Sequence, residues 1–176
     1  MNIIENIFYL NKPSLYLVFC HRPINSSLMS RINRITRRKT ASQFDHVALL
    51  FVEKGRKIIV ESSAPKGCIE IPFEDWIKGR EGSYITTIDL RASYFERSEI
   101  WVDFIRNEEG KKYDYFANLV WYFGWLKLLN WRKDKKRYCS ELVAKLLNFK
   151  DPHKITPGIL AEFYQGWESR YFIIEE

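Results

Sequence analysis

The spacing of apolar residues changes part-way along this chain. Leu15 to Cys20 is continuously apolar and reads as a buried strand. Phe44 to Phe51 and Lys57 to Glu61 are two more strand-like runs, and the polar stretch Glu53-Lys54-Gly55-Arg56 reads as the hairpin turn joining them. Cys68 to Ile71 predicts another short strand, Phe73 to Lys78 one helical turn, and the β-branched run Tyr84 to Leu90 a further strand. Beyond that the period lengthens. Phe95, Ile100, Trp101, Phe104 and Ile105 fall at helical spacing between Tyr94 and Asn107. Tyr115 to Trp131 continues helical, and Cys139 to Leu147 predicts a short helix. Thr156 followed by Pro157 signals an N-cap and first helical position for one or two further turns. A last strand is expected from Tyr171 to Ile174, a short helix with a basic face from Ser26 to Ile35, and a polar, basic loop from Thr36 to Ser42. No internal repeat, low-complexity segment or Pro/Gly linker interrupts the chain. Strands mostly first and helices mostly second predict an α+β fold, an antiparallel sheet packed against helices, in a single domain over residues 1–176.

The predicted hairpin places specific side chains together. In FDHVALLF, His46, Ala48 and Leu50 share one face and Val47, Leu49 and Phe51 the other. A two-residue turn at Lys54 and Gly55, or a four-residue loop over 53–56, sets Val52 opposite Lys57. Glu61 then lies opposite Ala48, diagonal to His46 on the same face, at about 7–8 Å between Cβ atoms, a gap that long side chains close. A three-residue loop would turn Glu61 to the other face.

Cys139 stands in the first turn of the helix RYCSELVAKLL. Leu142, Val143, Leu146 and Leu147 continue its stripe, so the thiol is expected to face inward. A helix N-terminus carries roughly half a positive charge and several free N–H groups, which favour a thiolate and can hold an oxyanion. A buried structural cysteine is the alternative. Cys20 lies in an apolar strand, where core packing is the expected role, and its neighbour His21 points to the opposite face. Cys68 follows Gly67 beside a turn and carries no other signal. His153, in the loop DPHKITP, is a rival base whose position suits the surface.

Composition narrows the picture. Of 176 residues, 46% are hydrophobic and 16% aromatic, enough for a sizeable core and against wholesale disorder. A formal charge of +6 is a mild bias, and much of it sits in two clusters, Arg31, Arg34, Arg37, Arg38, Lys39 and Arg132, Lys133, Lys135, Lys136, Arg137. No nucleic-acid partner is expected from those clusters alone. The three cysteines form no CxxC, which argues against a zinc site, and their odd number and wide spacing fit a reducing compartment. The N-terminus MNIIENIFYLNKPSLYLVF lacks the basic region and clean apolar run of a signal peptide, so a cytoplasmic location is expected. Residues 116–131, FANLVWYFGWLKLLNW, are shorter than the roughly 20 apolar residues of a spanning helix and are interrupted by Asn118, Gly124 and Lys127. A buried or interfacial helix is the better reading.

The order FDHVALLF, VESS, GKKYDY, RYCSELV and KITPGIL, from about Leu15 to Leu160, resembles the circularly permuted NlpC-type papain-like cysteine peptidases and amidases, the YiiX/YebB-like group. In that group the histidine strand comes first and the cysteine helix late, as here. The resemblance implies a permuted papain-like fold and a catalytic triad of Cys139, His46 and Glu61. It also implies a pocket or structural role for Tyr113, with Tyr138 and Ser140 beside the nucleophile lining the substrate pocket. Two departures concern substrate. The opening strand reads Ser14-Leu15-Tyr16-Leu17 where the group usually has a Gly-Asp pair, and the segment from Tyr113 to Cys139 is unusually aromatic.

The expected activity is therefore cleavage of an amide bond through a thioester, without metal or organic cofactor, on a small peptide, amide or lipid-amide. A second reading is a lipid-directed thiol acyl hydrolase or acyltransferase, similar to the lecithin retinol acyltransferase relatives of the fold. It rests on an aromatic-plus-basic stretch at 116–137 suited to peripheral membrane contact. A third is a non-catalytic binding module. The sequence gives no oligomeric state.

Overall fold

The computed structural model describes residues 13–22, 42–78, 80–115, 136–167 and 169–174. Four strands and a short helix come first: β1 (Ser14–His21), β2 (His46–Glu53), β3 (Arg56–Ser63), β4 (Gly67–Pro72) and α1 (Phe73–Ile77). Then follow β5 (Tyr84–Asp89), α2 (Tyr94–Asp103), β6 (Lys112–Tyr113), β7 (Lys136–Arg137), α3 (Cys139–Leu146), α4 (Pro157–Phe163) and β8 (Ser169–Ile173). Six strands form one antiparallel sheet in the order β4-β3-β2-β1-β5-β8, and the expected α+β architecture is the one observed.

The continuous apolar run of β1 is explained by its place. It pairs on both edges, with β2 and β5, and is covered on both faces. Leu15, Leu17 and Phe19 meet Val47, Leu49, Val60, Phe104, Leu142 and Val143 on one side, the side of α3. Val18 and Cys20 meet Ala48, Leu50, Ile59, Phe73 and Trp76 on the other, the side of α1. Full burial of each such side chain contributes about 1.5–3 kcal/mol, so this strand is the backbone of both cores.

The β2–β3 hairpin takes the two-residue turn. Lys54 (φ 47) and Gly55 (φ 78) both adopt left-handed backbone, the turn whose twist matches the flanking strands. Glu53 therefore pairs with Arg56 and Val52 with Lys57, the register expected above. The ladder runs on to Leu49 and Val60, and His46 and Glu61 lie just beyond that paired stretch.

Helix α2 begins with a reciprocal cap, Ser93 Oγ accepting from Glu96 N–H while Glu96 accepts from Ser93 N–H. It does not stay α-helical to Asn107. From Phe104 to Glu108 it widens into a π-turn that closes with Glu109 N–H on Phe104 C=O. The wider turn carries Glu108 inward, where it is fully buried. Thr156 and Pro157 start α4 as expected, with Thr156 Oγ1 accepting from Ile159 N–H. The last strand begins two residues earlier than the apolar pattern suggested, at Ser169. The two-residue parallel ladder of β6 with β7, which lies directly before α3, has no counterpart in the sequence reading.

The expected helix over Ser26 to Ile35, most of the basic loop after it, the aromatic stretch 116–131 and the basic residues before Lys136 lie outside the described residues. No described helix is long and apolar enough to cross a membrane.

Gly67, at the start of β4, shows how closely β6 approaches. Its φ is +82, and a Cβ there would sit 2.1 Å from the carbonyl oxygen of Lys111. That carbonyl accepts from Cys68 N–H at 2.7 Å. Gly67→Ala is expected to destabilise the protein by about 3 kcal/mol or more, because left-handed backbone and a backbone clash add. The urea unfolding midpoint checks this, and an unchanged midpoint would contradict the close approach.

Candidate active site

His46 opens β2, and Glu61 stands near the end of β3 with its side chain on the α1 side of the sheet, one residue on from Val60 in the α3-side core. The His46 Nε2 and Glu61 Oε2 atoms are 2.6 Å apart, and both residues are buried. The hairpin register thus delivers the expected pair directly.

Cys139 is the first residue of α3, which packs on the opposite face of the sheet. Its thiol lies close enough to the His46 ring to raise the pKa of the imidazole. With Nε2 committed to Glu61, Nδ1 is the ring nitrogen left for sulfur. His46 therefore joins a carboxylate held on one side of the sheet to a cysteine held on the other. No side chain caps the start of α3, where Tyr138 occupies the N-cap position. The first N–H groups of the helix, Cys139's own among them, are not taken by a cap.

The carboxylate is held by more than histidine. Glu61 Oε2 also accepts from Trp76 Nε1 at 2.7 Å and from the Arg80 guanidinium at 3.3 Å. Trp76, on α1, is fully buried. Burial pulls against the charge of Glu61, but the His46 charge and hydrogen bond, then Arg80 and Trp76, hold its carboxyl well below the usual range. Burial likewise opposes charge on His46. The Glu61 charge, the neighbouring Cys139 and the hydrogen bond to Glu61 outweigh it and raise His46 to about 9. At neutral pH the arrangement is thus an imidazolium beside a carboxylate.

The other cysteines differ in degree. Cys139 is buried but keeps 7% exposure, whereas Cys20 and Cys68 are fully buried. Burial, then the Asp45 charge, pushes the Cys20 thiol up to about 11, and burial pushes Cys68 to about 11. Cys20 sits in the α1-side core, the packing role expected for it. His21 contacts the carbonyl of Gln43 through Nδ1 at 2.6 Å, and His153 lies in a single 3-10 turn, Pro152–Lys154.

Of the residues expected to line a substrate pocket, Tyr113 is half-buried in β6 with its ring edge-on to Tyr115 at 5.1 Å. Tyr138 donates its hydroxyl to the carbonyl of His153 at 2.5 Å, and the buried Ser140 donates to that of Ile155 at 2.8 Å. These two bonds tie the start of α3 to the segment before α4, so contact with substrate stays an expectation for all three.

Sequence reasoning missed Trp76, Arg80 and the residues behind Cys139. Glu108 forms ion pairs with Arg137 Nε at 2.9 Å, Lys111 Nζ at 2.9 Å and Lys145 Nζ at 2.6 Å. The Arg137 carbonyl accepts from Ser62 Oγ at 2.8 Å and from Asp114 N–H at 3.0 Å. The chain entering α3 is therefore pinned to α2, β3 and the end of β6 before it delivers Cys139.

A family model of permuted papain-like amidase enzymes, the YaeF/YiiX or C92 family, matches residues 17–165. Among solved structures, the crystal structure of yiiX from Escherichia coli O157:H7, described as a metalloprotein, is similar at a TM-score of 0.51 and 18% identity. The alignment covers 86% of this chain and 80% of that one, a likeness of fold. No curated protein matches this sequence. Among the described residues here, no three His, Cys, Asp or Glu side chains are grouped so as to hold a metal ion.

Proposed function

Because this chain belongs to the permuted papain-like amidase family, we propose that it is a cysteine-dependent peptidase or amidase in which Cys139 is the nucleophile, His46 the base and acid, and Glu61 the group that orients His46. The observation that carries the reading is the His46 ring, bonded to Glu61 at 2.6 Å through Nε2, with Cys139 at the start of α3 close enough to raise its pKa.

The chemistry follows from that arrangement. The sulfur, its proton already carried on Nδ1 of the His46 imidazolium, attacks the carbonyl carbon of a bound amide. The Cys139 N–H, at the uncapped start of α3, donates to the oxyanion that forms. As the C–N bond breaks, His46 gives its proton to the departing nitrogen and a thioester remains on sulfur. Water then loses a proton to His46, attacks the thioester carbon, and releases the acid and the thiol. Glu61 holds the Nε2 proton throughout, so that Nδ1 always faces sulfur.

The test is mass spectrometry of the protein incubated with small peptide amides and with N-acyl amides, each with and without anionic lipid vesicles. A transient adduct on Cys139 with the mass of the acyl group is expected. An adduct with peptide amides in plain buffer supports the peptidase or amidase. One that forms only with N-acyl lipids on vesicles favours the lipid-directed enzyme, the reading suggested by the aromatic and basic run 116–137. No adduct with any of them would leave the binding module. Because His46 must hold a proton to release the amine, kcat/KM for a substrate found this way is expected to fall as pH rises through about 9. A rate still rising at pH 10 would contradict His46 as the acid.

A further inference from the structure

Glu61 carries three donors on one oxygen, and one of them is a nearly buried guanidinium that a simple Cys–His–Glu set does not require. Arg80 follows α1 by three residues. Its backbone is fixed on both sides, its N–H donating to Ile77 C=O at 3.1 Å and its carbonyl accepting from Ser83 N–H at 3.0 Å. Its side chain is 12% exposed. Nη1 donates to the Trp76 carbonyl, Cζ lies 4.1 Å over the Trp76 ring, and Nη2 lies 3.3 Å from Glu61 Oε2. The guanidinium is thus clamped in one orientation by hydrogen bond, ring stacking and ion pair together.

We propose that Arg80 is a positioning residue of this site: clamped on Trp76, it holds the Glu61 carboxylate against His46 and takes up part of the negative charge that Glu61 would otherwise direct wholly at the imidazole. This rests on the triad reading given above and deepens it.

The physical need is specific. A buried carboxylate with only the imidazole as charged partner would bind the imidazolium proton tightly, and a histidine that cannot release its proton is a poor acid toward a leaving amine. Sharing Glu61 with a permanent cation keeps the carboxylate ionised and in place while making the histidine proton easier to release. The groups that act on His46 are Glu61 from β3 and Cys139 from α3. Those that act on Arg80 are Glu61, Cys20 from β1, and Arg22 and Asp45. Arg22 and Asp45 carry opposite charges and act on Arg80 in opposite senses, and the Arg22 backbone N–H donates to Asp45 Oδ2 at 3.4 Å. Arg80 is therefore the cation placed on Glu61 itself.

The test follows the His46 ring proton by NMR across pH in the full chain. The chain has three histidines, and His46→Gln assigns the signal by its disappearance. In Arg80→Met the His46 midpoint is expected to rise by about one pH unit, since a contacting opposite charge shifts a pKa by about 1–3 units and Arg80 acts one group removed. Arg80→Lys, which keeps the charge, is expected to return the midpoint to near the wild-type value. Arg80→Gln reads the same charge effect if Arg80→Met fails to fold. Equal midpoints in wild type, Arg80→Met and Arg80→Gln would overturn the proposal. So would a rise in Arg80→Lys equal to that in Arg80→Met, which would assign the effect to lost packing. Iodoacetamide labelling of Cys139 in wild type and His46→Ala, run in parallel, separates this from failure of the triad reading. Labelling that depends on His46 with no Arg80 effect removes only Arg80, whereas labelling indifferent to His46 removes the triad.

Discussion

Cys139→Ala is expected to abolish the acyl adduct and to lower amide hydrolysis by at least about a thousandfold, the scale on which loss of a nucleophile is felt. The unfolding midpoint should hardly move. Cys139 is the first residue of α3, alanine is the best helix former, and its smaller side chain leaves only a small gap in a core built on Leu142, Val143 and Phe104. The ties that hold this helix start, Tyr138 to His153 and Ser140 to Ile155, do not involve the cysteine side chain. Adduct mass and urea unfolding, measured on the same preparation, check the two halves separately. Residual hydrolysis within tenfold of wild type would place the nucleophile elsewhere.

The second large effect separates His46 from Glu61. His46→Ala removes the group that moves the proton and should cost at least about a thousandfold in kcat/KM. Glu61→Gln should cost about ten- to a hundredfold. The reason lies in the convergence on one atom. His46, Trp76 and Arg80 all meet Oε2, so a glutamine that puts its amide oxygen there keeps all three hydrogen bonds and loses only charge. What is lost is the stabilisation of the imidazolium and the counter-charge to Arg80, which is costly for a side chain this buried. A Glu61→Gln enzyme as inactive as His46→Ala would show that the carboxylate charge does more than orient the ring.

Much of this site was legible in the sequence because it depends on local chemistry. Lys54-Gly55 fixes a turn with two left-handed residues, and that turn alone determines that Glu61 shares a face with His46. The stripe Leu142, Val143, Leu146 determines that Cys139 starts a helix facing the core. The chemistry behind these residues was not legible. Trp76 and Arg80 reach Glu61 only because β4 folds back on β3 and carries α1 across its face. Nothing in the spacing of 61, 76 and 80 encodes that. Glu108 is a polar residue in a helical pattern and reads as exposed. It is buried because a π-turn adds a residue to the turn, which apolar periodicity does not register. The β6–β7 ladder is two residues long and rich in lysine and arginine, the opposite of a strand signal, yet it sets the approach to Cys139.

The central claim, a reactive Cys139 paired with His46, is tested most directly by the rate of iodoacetamide alkylation against pH in wild type and His46→Ala. Cys20 and Cys68 are fully buried, with thiols pushed up to about 11, so a single label on the folded protein reports Cys139. With His46 raised to about 9, the imidazolium is present across the neutral range, and wild-type labelling should stay fast down to about pH 6. In His46→Ala labelling at that pH should slow by at least about tenfold. A wild-type rate that instead climbs like that of a free thiol, toward a midpoint of about 8.5, and is the same in the mutant would contradict the pair.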